Sequence, residues 1–234
     1  MDKEGSARIG TGPRKEGVYV MEKNERRCLI VGGAPIEDYE RIRHYIRRDD
    51  YVIFCDSGLK HREGLGVKPD LITGDFDSWE KPETEEAETI VLPTEKDDTD
   101  TVYAVSEALE RGFEEFLLVG MTGRRLDHTL GNVYILVRLA ELEKKAMIVD
   151  DYSEIEFIPE GKTWEIDDSY AYFSLLAITG KASGITIRDA KYELNDAEIL
   201  PYYQYAISNE VIPGKTASVT VKSGSLLLIR DMIG

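Results

Sequence analysis

Between Cys28 and Asp150, short apolar runs ending in glycine or aspartate alternate with charged segments that carry apolar residues at helical spacing. This alternation constrains the fold more than any other feature of the chain. CLIVGG (28–33), YVIFCDSG (51–58), DLITGDFDS (70–78), TIVLP (89–93), FEEFLLVG (113–120) and AMIVD (146–150) read as short buried strands. Tyr39, Ile42 and Ile46 recur at helical spacing between the first two. Residues 99–111 put Val102, Val105, Ala108 and Leu109 on one face, behind a Thr or Asp able to cap. The strongest helical pattern is 126–145, with Leu130, Val133, Tyr134, Val137 and Ala140 expected on its buried stripe and lysines in its last turn. Strands alternating with helices predict a mostly parallel sheet with helices on both faces.

After about residue 150 the rhythm changes to short strand patterns separated by Gly, Asp, Asn and Lys. VTVKSGSLLLIR (219–230) reads as a hairpin around Ser223-Gly224. The predicted organisation is a flexible leader over 1–24, an α/β domain over 25–150 and a small all-β, sandwich-like domain over 151–234.

Composition narrows the function classes. The formal charge is −16, from 45 acids against 29 bases, and such a surface repels a nucleic-acid backbone. Apolar runs such as YFSLLAI (172–178) are too short to span a bilayer, and the N-terminus has no apolar stretch of the secretory kind. A cytoplasmic location is expected, with Cys28 and Cys55 as buried free thiols. His44, His61 and His128 are scattered and no C-x-x-C occurs, so a zinc site is not expected. Gly214-Lys215-Thr216 supplies only the tail of a P-loop, and no G-x-G-x-x-G follows a strand.

Four polar groups each follow a predicted strand: CDSG (55–58), TGDFDS (73–78), TEKDDTD (94–100) and GMTGRRLDH (120–128). In an open parallel sheet the strands' carboxyl ends share one edge, so these loops are expected to converge on one crevice. Asp75 and Asp77 lie at i and i+2, on one face of an extended backbone, and Asp98 and Asp100 repeat that spacing. A D-x-D pair is common in turns, but in convergent loops Asp75, Asp77 and Asp100 suit Mg²⁺, which takes hard oxygen ligands and shares them with phosphates. The doublets Asp49-Asp50, Asp150-Asp151 and Asp167-Asp168 read as solvated surface or turn residues. In the fourth loop Gly120 and Gly123 let backbone amides approach an anion, Arg125 can fork onto phosphate, and Asp127 can cap the helix that follows. His128 reads as structural.

GDFDS, EKDDTD, GMTGRRLDHTLGN and ISNE (207–210) resemble, in that order, the motifs of the thiamine pyrophosphokinase family in its bacterial branch, over roughly residues 28 to 230. The resemblance implies transfer of a pyrophosphoryl group from ATP to the hydroxyl of thiamine, with release of AMP. It also implies a homodimer, an α/β domain for the nucleotide and a β-sandwich that helps hold thiamine at the subunit interface. Asp75, Asp77 and Asp100 match the family's Mg²⁺-binding and catalytic acids, and Asp56 matches a further active-site acid. Lys96, Thr99, Arg125 and Asp127 match residues lining the phosphate and thiamine pocket, and Ser208 and Asn209 match the thiamine-side motif. Arg124 stands where the family often has a second glycine. Some members stack a C-terminal tryptophan on thiamine, whereas here Trp79 and Trp164 lie elsewhere. Tyr202, Tyr203 and Tyr205 are candidates for that contact by position, with core packing the expected role of each. Another Mg²⁺-dependent pyrophosphokinase, of the hydroxymethyl-pterin type, and a non-catalytic nucleotide or thiamine sensor share part of this signature.

Overall fold

The computed structural model describes residues 26–75, 87–92 and 99–232; the expected leader, Asp77 and Lys96 lie outside these described residues. Six strands run parallel: β1 (Cys28–Val31), β2 (Tyr51–Cys55), β3 (Leu71–Gly74), β4 (Glu88–Val91), β5 (Glu115–Val119) and β6 (Lys145–Val149). Their order in the sheet is β4-β3-β2-β1-β5-β6. The central strands are continuous apolar runs because both faces are covered. The helices are α1 (Tyr39–Arg43), α2 (Arg62–Leu65, after a 3₁₀ turn at Asp56–His61), α3 (Asp100–Glu110) and α4 (Leu126–Glu141).

The chain moves outward from β1 through β2 and β3, then returns to the other side of β1 with β5 and β6. Right-handed crossovers taken in opposite directions put their helices on opposite faces. Thus Ile42 of α1 and Leu65 of α2 pack with Leu29, Val31, Val52 and Phe54, whereas Ala104, Val105 and Ala108 of α3 and Val133, Leu136 and Val137 of α4 pack with Ile30, Ile53 and Leu118. Thr99 caps α3 as expected, its hydroxyl accepting from the Val102 amide at 3.3 Å.

On α4 the buried stripe is rotated from the expected one. Val133 and Val137 are buried as predicted, with Ile135, Leu136 and Leu139 beside them, but Leu130 is 50% and Tyr134 51% exposed. The helix must cover β6 and the next strand, Ser153–Ile158, together, which turns the Leu130–Tyr134 edge outward; the Tyr134 hydroxyl reaches the Ile178 carbonyl at 3.3 Å.

The sheet continues beyond residue 150. β7 (Ser153–Ile158), β13 (Leu226–Met232) and β9 (Tyr170–Leu176) add to β6 in antiparallel sense, giving nine strands. A second antiparallel sheet, β11-β10-β12-β8, is built from β8 (Thr163–Asp167), β10 (Ala182–Arg188), β11 (Leu194–Ile199) and β12 (Thr216–Thr220). Leu226 and Leu228 of β13 point into the sandwich core with Phe173, Leu175, Ile187 and Val219, while Leu227 joins the core beneath α4. The hairpin expected over 219–230 does not form: β12 pairs with β10 and β8, β13 with β7 and β9, and the chain crosses between sheets at Ser223-Gly224. Gly224 (φ +77°) makes that crossing, and a Cβ there would sit 2.4 Å from the Lys181 carbonyl oxygen. A tight turn matched the glycine equally well in sequence; burial on both faces of β13 decides for the crossover.

Among the described residues, no helix is long and apolar enough to cross a membrane. Cys28 and Cys55 are both buried and free, and burial pushes the Cys28 thiol far above its ordinary range.

Candidate active site

The reversal of strand order falls between β1 and β5, and a cleft of about 500 Å³ opens at their carboxyl ends. Ligands bind at such switch points because adjacent loops diverge there. The floor is made by close backbone approach. A Cβ on Gly32 would lie 2.6 Å from the Gly120 carbonyl oxygen, and one on Gly120 (φ +65°) 2.5 Å from that of Gly32. The Gly32 and Ala34 amides donate to Val119 and Gly120 carbonyls, each at 2.9 Å, and lock the two loops together. Gly32 and Gly33, visible in CLIVGG, belong to the site although they read only as a strand end in the sequence.

The loop after β1 is held from three sides. Lys60 Nζ donates to the Gly33 carbonyl at 2.5 Å, and His61 Nε2 to the Ala34 carbonyl at 2.8 Å. His61 Nδ1 meets the Tyr39 hydroxyl at 2.7 Å, so the imidazole is buried between the cleft loop and α1. Burial holds its pKa below the ordinary histidine value. From the third side the Asp151 carboxylate accepts from the amides of Glu37 and Asp38 at 2.8–3.1 Å, while Asp150 accepts from the Thr122 hydroxyl at 2.7 Å.

Of the three doublets expected as surface or turn residues, Asp150 accepts from the turn amides of Tyr152 and Ser153 as expected, while Asp151 also braces the site. Asp50 departs from that role, buried against Arg27 in a forked ion pair at 2.8–2.9 Å. Asp167-Asp168 behaves as expected, accepting from the turn amides of Ser169 and Gly214.

Asp56, Asp75 and Asp100 stand at the end of β2, the end of β3 and the start of α3, on the same sheet edge. Asp56 and Asp100 line the cleft. Asp56 has φ +32°, an uncommon conformation for a residue with a Cβ and one that concentrates at functional sites. A Cβ on Gly74 would lie 2.9 Å from the Asp56 Cβ, so the end of β3 abuts Asp56 and brings Asp75 beside it. The Cys55 thiol donates to the Asp100 carbonyl at 3.8 Å, tying the head of α3 to the end of β2. Asp56, Asp75 and Asp100 are hard oxygen donors of the kind Mg²⁺ takes. Among the described residues no three His, Cys, Asp or Glu side chains are grouped so that they could hold a metal ion.

Thr99, Gly120, Gly123, Arg124, Arg125 and His128 also line the cleft. The Gly123 amide is engaged by Thr129 Oγ1 at 3.1 Å, which shapes this loop from within. Arg125 occupies the N-cap position of α4 without a side-chain cap bond, and Asp127, in the first turn, grips its guanidinium at 2.6–2.9 Å. That guanidinium holds the exposed Asp127 carboxyl well below the usual range.

Ser208 and Asn209 do not line this cleft. Asn209 is buried: Nδ2 donates to the Tyr192 carbonyl and Oδ1 accepts from the Tyr192 and Glu210 amides at 2.8–3.0 Å, bonds that fix the loop. Ser208 (φ +57°), beside it, is exposed. Tyr202, Tyr203 and Tyr205 are exposed, Tyr202 at 85%, in place of the core packing expected of them. The Tyr203 and Tyr205 rings lie 5.5 Å apart, and the Tyr205 hydroxyl donates to the Glu198 carbonyl at 2.7 Å.

Residues 42–149 match the family model described as thiamin pyrophosphokinase, catalytic domain, and residues 162–226 match thiamin pyrophosphokinase, vitamin B1 binding domain. Thiamine pyrophosphokinase of Bacillus subtilis is 30% identical over 208 residues, covering 86% of this chain and 97% of that protein. The chain belongs to the thiamine pyrophosphokinase family.

Thiamin pyrophosphokinase 1 of Caenorhabditis elegans is 24% identical, with 86% of each chain covered. Among solved structures, the Bacillus subtilis thiamine pyrophosphokinase superposes with a TM-score of 0.76 at 27% identity, covering 88% of this chain and 99% of that one. The Geobacillus thermodenitrificans thiamin pyrophosphokinase gives 0.75 at 29% identity, covering 89% and 98%. The family fold thus spans both the parallel sheet and the sandwich.

Proposed function

We propose that this protein is a cytoplasmic, Mg²⁺-dependent thiamine pyrophosphokinase that transfers the pyrophosphoryl group of ATP to the hydroxyl of thiamine, giving thiamine diphosphate and AMP. The observation that carries the reading is a cleft at the switch point of the sheet that Asp56, Asp100, a glycine floor and Arg125 line together, with Asp75 on the same sheet edge. The glycines let phosphate approach the backbone, and Arg125, which can leave Asp127 for a more highly charged partner, forks onto phosphoryl oxygens. Lys96, from the loop before α3, adds a second cation. Mg²⁺, held by Asp75, Asp77 and Asp100, would neutralise charge on the β- and γ-phosphates. The thiamine oxygen attacks the β-phosphorus in line, and an adjacent aspartate accepts the proton as AMP departs.

The thiamine side rests on Ser208. β9, which neighbours its loop, lies four strands from β5, or about 19 Å at ordinary strand spacing. A homodimer resolves this separation: the second copy brings its Ser208 loop, with Tyr203 and Tyr205 as faces for the cationic heterocycle, over the cleft of the first. The exposed Leu126, Leu130 and Tyr134 edge of α4 supplies apolar area for that contact.

The test is to incubate the protein with MgATP and thiamine and separate the products. AMP appearing with thiamine diphosphate is the expected result; ADP with thiamine monophosphate, or no turnover, rejects the assignment.

A further inference from the structure

The two loops that form the floor of the cleft are both tied to one short stretch of chain. The loop after β1 contributes Gly33, Ala34 and Pro35 to the lining, and the loop after β5 contributes Gly120, Met121 and Gly123. They also abut one another: a Cβ on Gly123 would lie 3.0 Å from Pro35 Cδ and 3.5 Å from Ala34 Cβ. Just beyond Pro35, the amides of Glu37 and Asp38 donate to the Asp151 carboxylate at 2.8–3.1 Å. Between Met121 and Gly123, the Thr122 hydroxyl donates to Asp150 Oδ2 at 2.7 Å. Consecutive carboxylates thus hold one loop each.

The stretch that carries them is itself fastened. Asp150 Oδ1 accepts from the Tyr152 and Ser153 amides at 2.7–2.9 Å, and the Ser153 hydroxyl donates to Asp231 at 2.7 Å. Glu154 accepts from the hydroxyl of Tyr45, which follows α1, at 2.6 Å. Asp38 caps the other end of α1, accepting from the Arg41 amide at 3.0 Å, so residues 151–154 grip the α1 segment at both ends. Thr122, Asp150 and Asp151 do not line the cleft and reach a ligand only through the loops they hold. A loop ordered in advance spares the ligand the cost of ordering it, which raises affinity without a new contact.

We propose that Thr122, Asp150 and Asp151 are positioning residues that set the affinity of the cleft for nucleotide: the carboxylates fix the spacing of the two loops, and the loops present their backbone to the phosphates. This rests on the reading of the cleft as the nucleotide site.

MgATP, titrated calorimetrically into the full chain without thiamine, reads the effect directly. Asp151→Ala is expected to weaken binding about tenfold, the scale of one hydrogen bond to a charged group. Asp151→Asn, whose side-chain oxygen can still accept from both amides, is expected to restore the wild-type affinity. Thr122→Val, which lacks the hydroxyl, is expected to weaken binding as Asp151→Ala does. The double variant should bind no worse than the weaker single one, because the spacing is lost once either loop is free. A merely structural role would lower the thermal midpoint and leave MgATP affinity unchanged, and that result overturns the proposal. So does Asp151→Asn binding as weakly as Asp151→Ala, or losses that multiply in the double variant. Should Asp151→Ala lose its circular dichroism, Thr122→Val, with Thr122→Ser as its rescue, carries the same test. A wild type that makes thiamine diphosphate while the variants keep full MgATP affinity overturns the positioning role alone; a wild type that does not bind MgATP overturns the nucleotide reading with it.

Discussion

At the scale of single residues, the polar groups that matter most are those whose burial leaves no alternative to pairing. Arg27 and Asp50 are both buried and meet in a fork. Asp50→Ala would strand the guanidinium in the core and is expected to destabilise the protein by about 3–5 kcal/mol, measured by urea denaturation. A loss under about 1 kcal/mol would mean that water reaches Arg27. His61 gives a pH dependence. Burial lowers its folded-state pKa beneath the ordinary 6.5, so below that value the unfolded chain binds more protons than the folded one. Stability is therefore full above pH 6.5 and declines as the pH falls through the window beneath it. Thermal midpoints from pH 7 to 5 are expected to fall more steeply in the wild type than in His61→Gln, whose amide can still donate to the Ala34 carbonyl; parallel curves would count against this role.

At the scale of elements, sequence and structure agree where one physical cause dominates. The strands β1, β2 and β5 are readable because double-sided burial demands uninterrupted apolar runs, and α3 because Thr99 caps it. Asp56, Asp100 and the Gly120 loop were legible for the same reason: strand ends fix where they lie. Less legible were features decided by contacts distant in sequence. Asp151 reads as half of a surface doublet until residues 37 and 38 are seen to fold onto it, and nothing near Asn209 in sequence shows that Tyr192 will hold its amide by both ends. The α4 stripe is of this kind too, since periodicity gives a face but not its rotation against β6 and β7. The outward edge of that helix carries its own prediction. Leu130→Glu is expected to shift the mass in light scattering from dimer to monomer while leaving the circular dichroism unchanged; a dimer that persists would move the interface elsewhere.

At the scale of the whole molecule, a shared site has a signature no monomer can imitate. Asp100→Asn and Ser208→Lys are each expected to inactivate a homodimer whose cleft is completed by its partner. Mixed and allowed to exchange, the two should regain up to about a quarter of wild-type activity, because half the dimers are mixed and each of these has one intact site. A mixture as inactive as its parents would place both residues in the same protomer's site.

The nine-stranded sheet bears on how this protein can be cut. The strand that closes the catalytic half, β6, is hydrogen-bonded on its far side to β7, and β13, far from both in sequence, pairs with β7 in turn. A fragment ending near residue 150 would carry β6 as a bare edge, with the apolar surface under α4 stripped of Ile155, Phe157 and Leu227. Such a fragment is a sticky half-sheet. A strand remote in sequence, β13, is thus needed to seal the first half, which cannot finish folding without it.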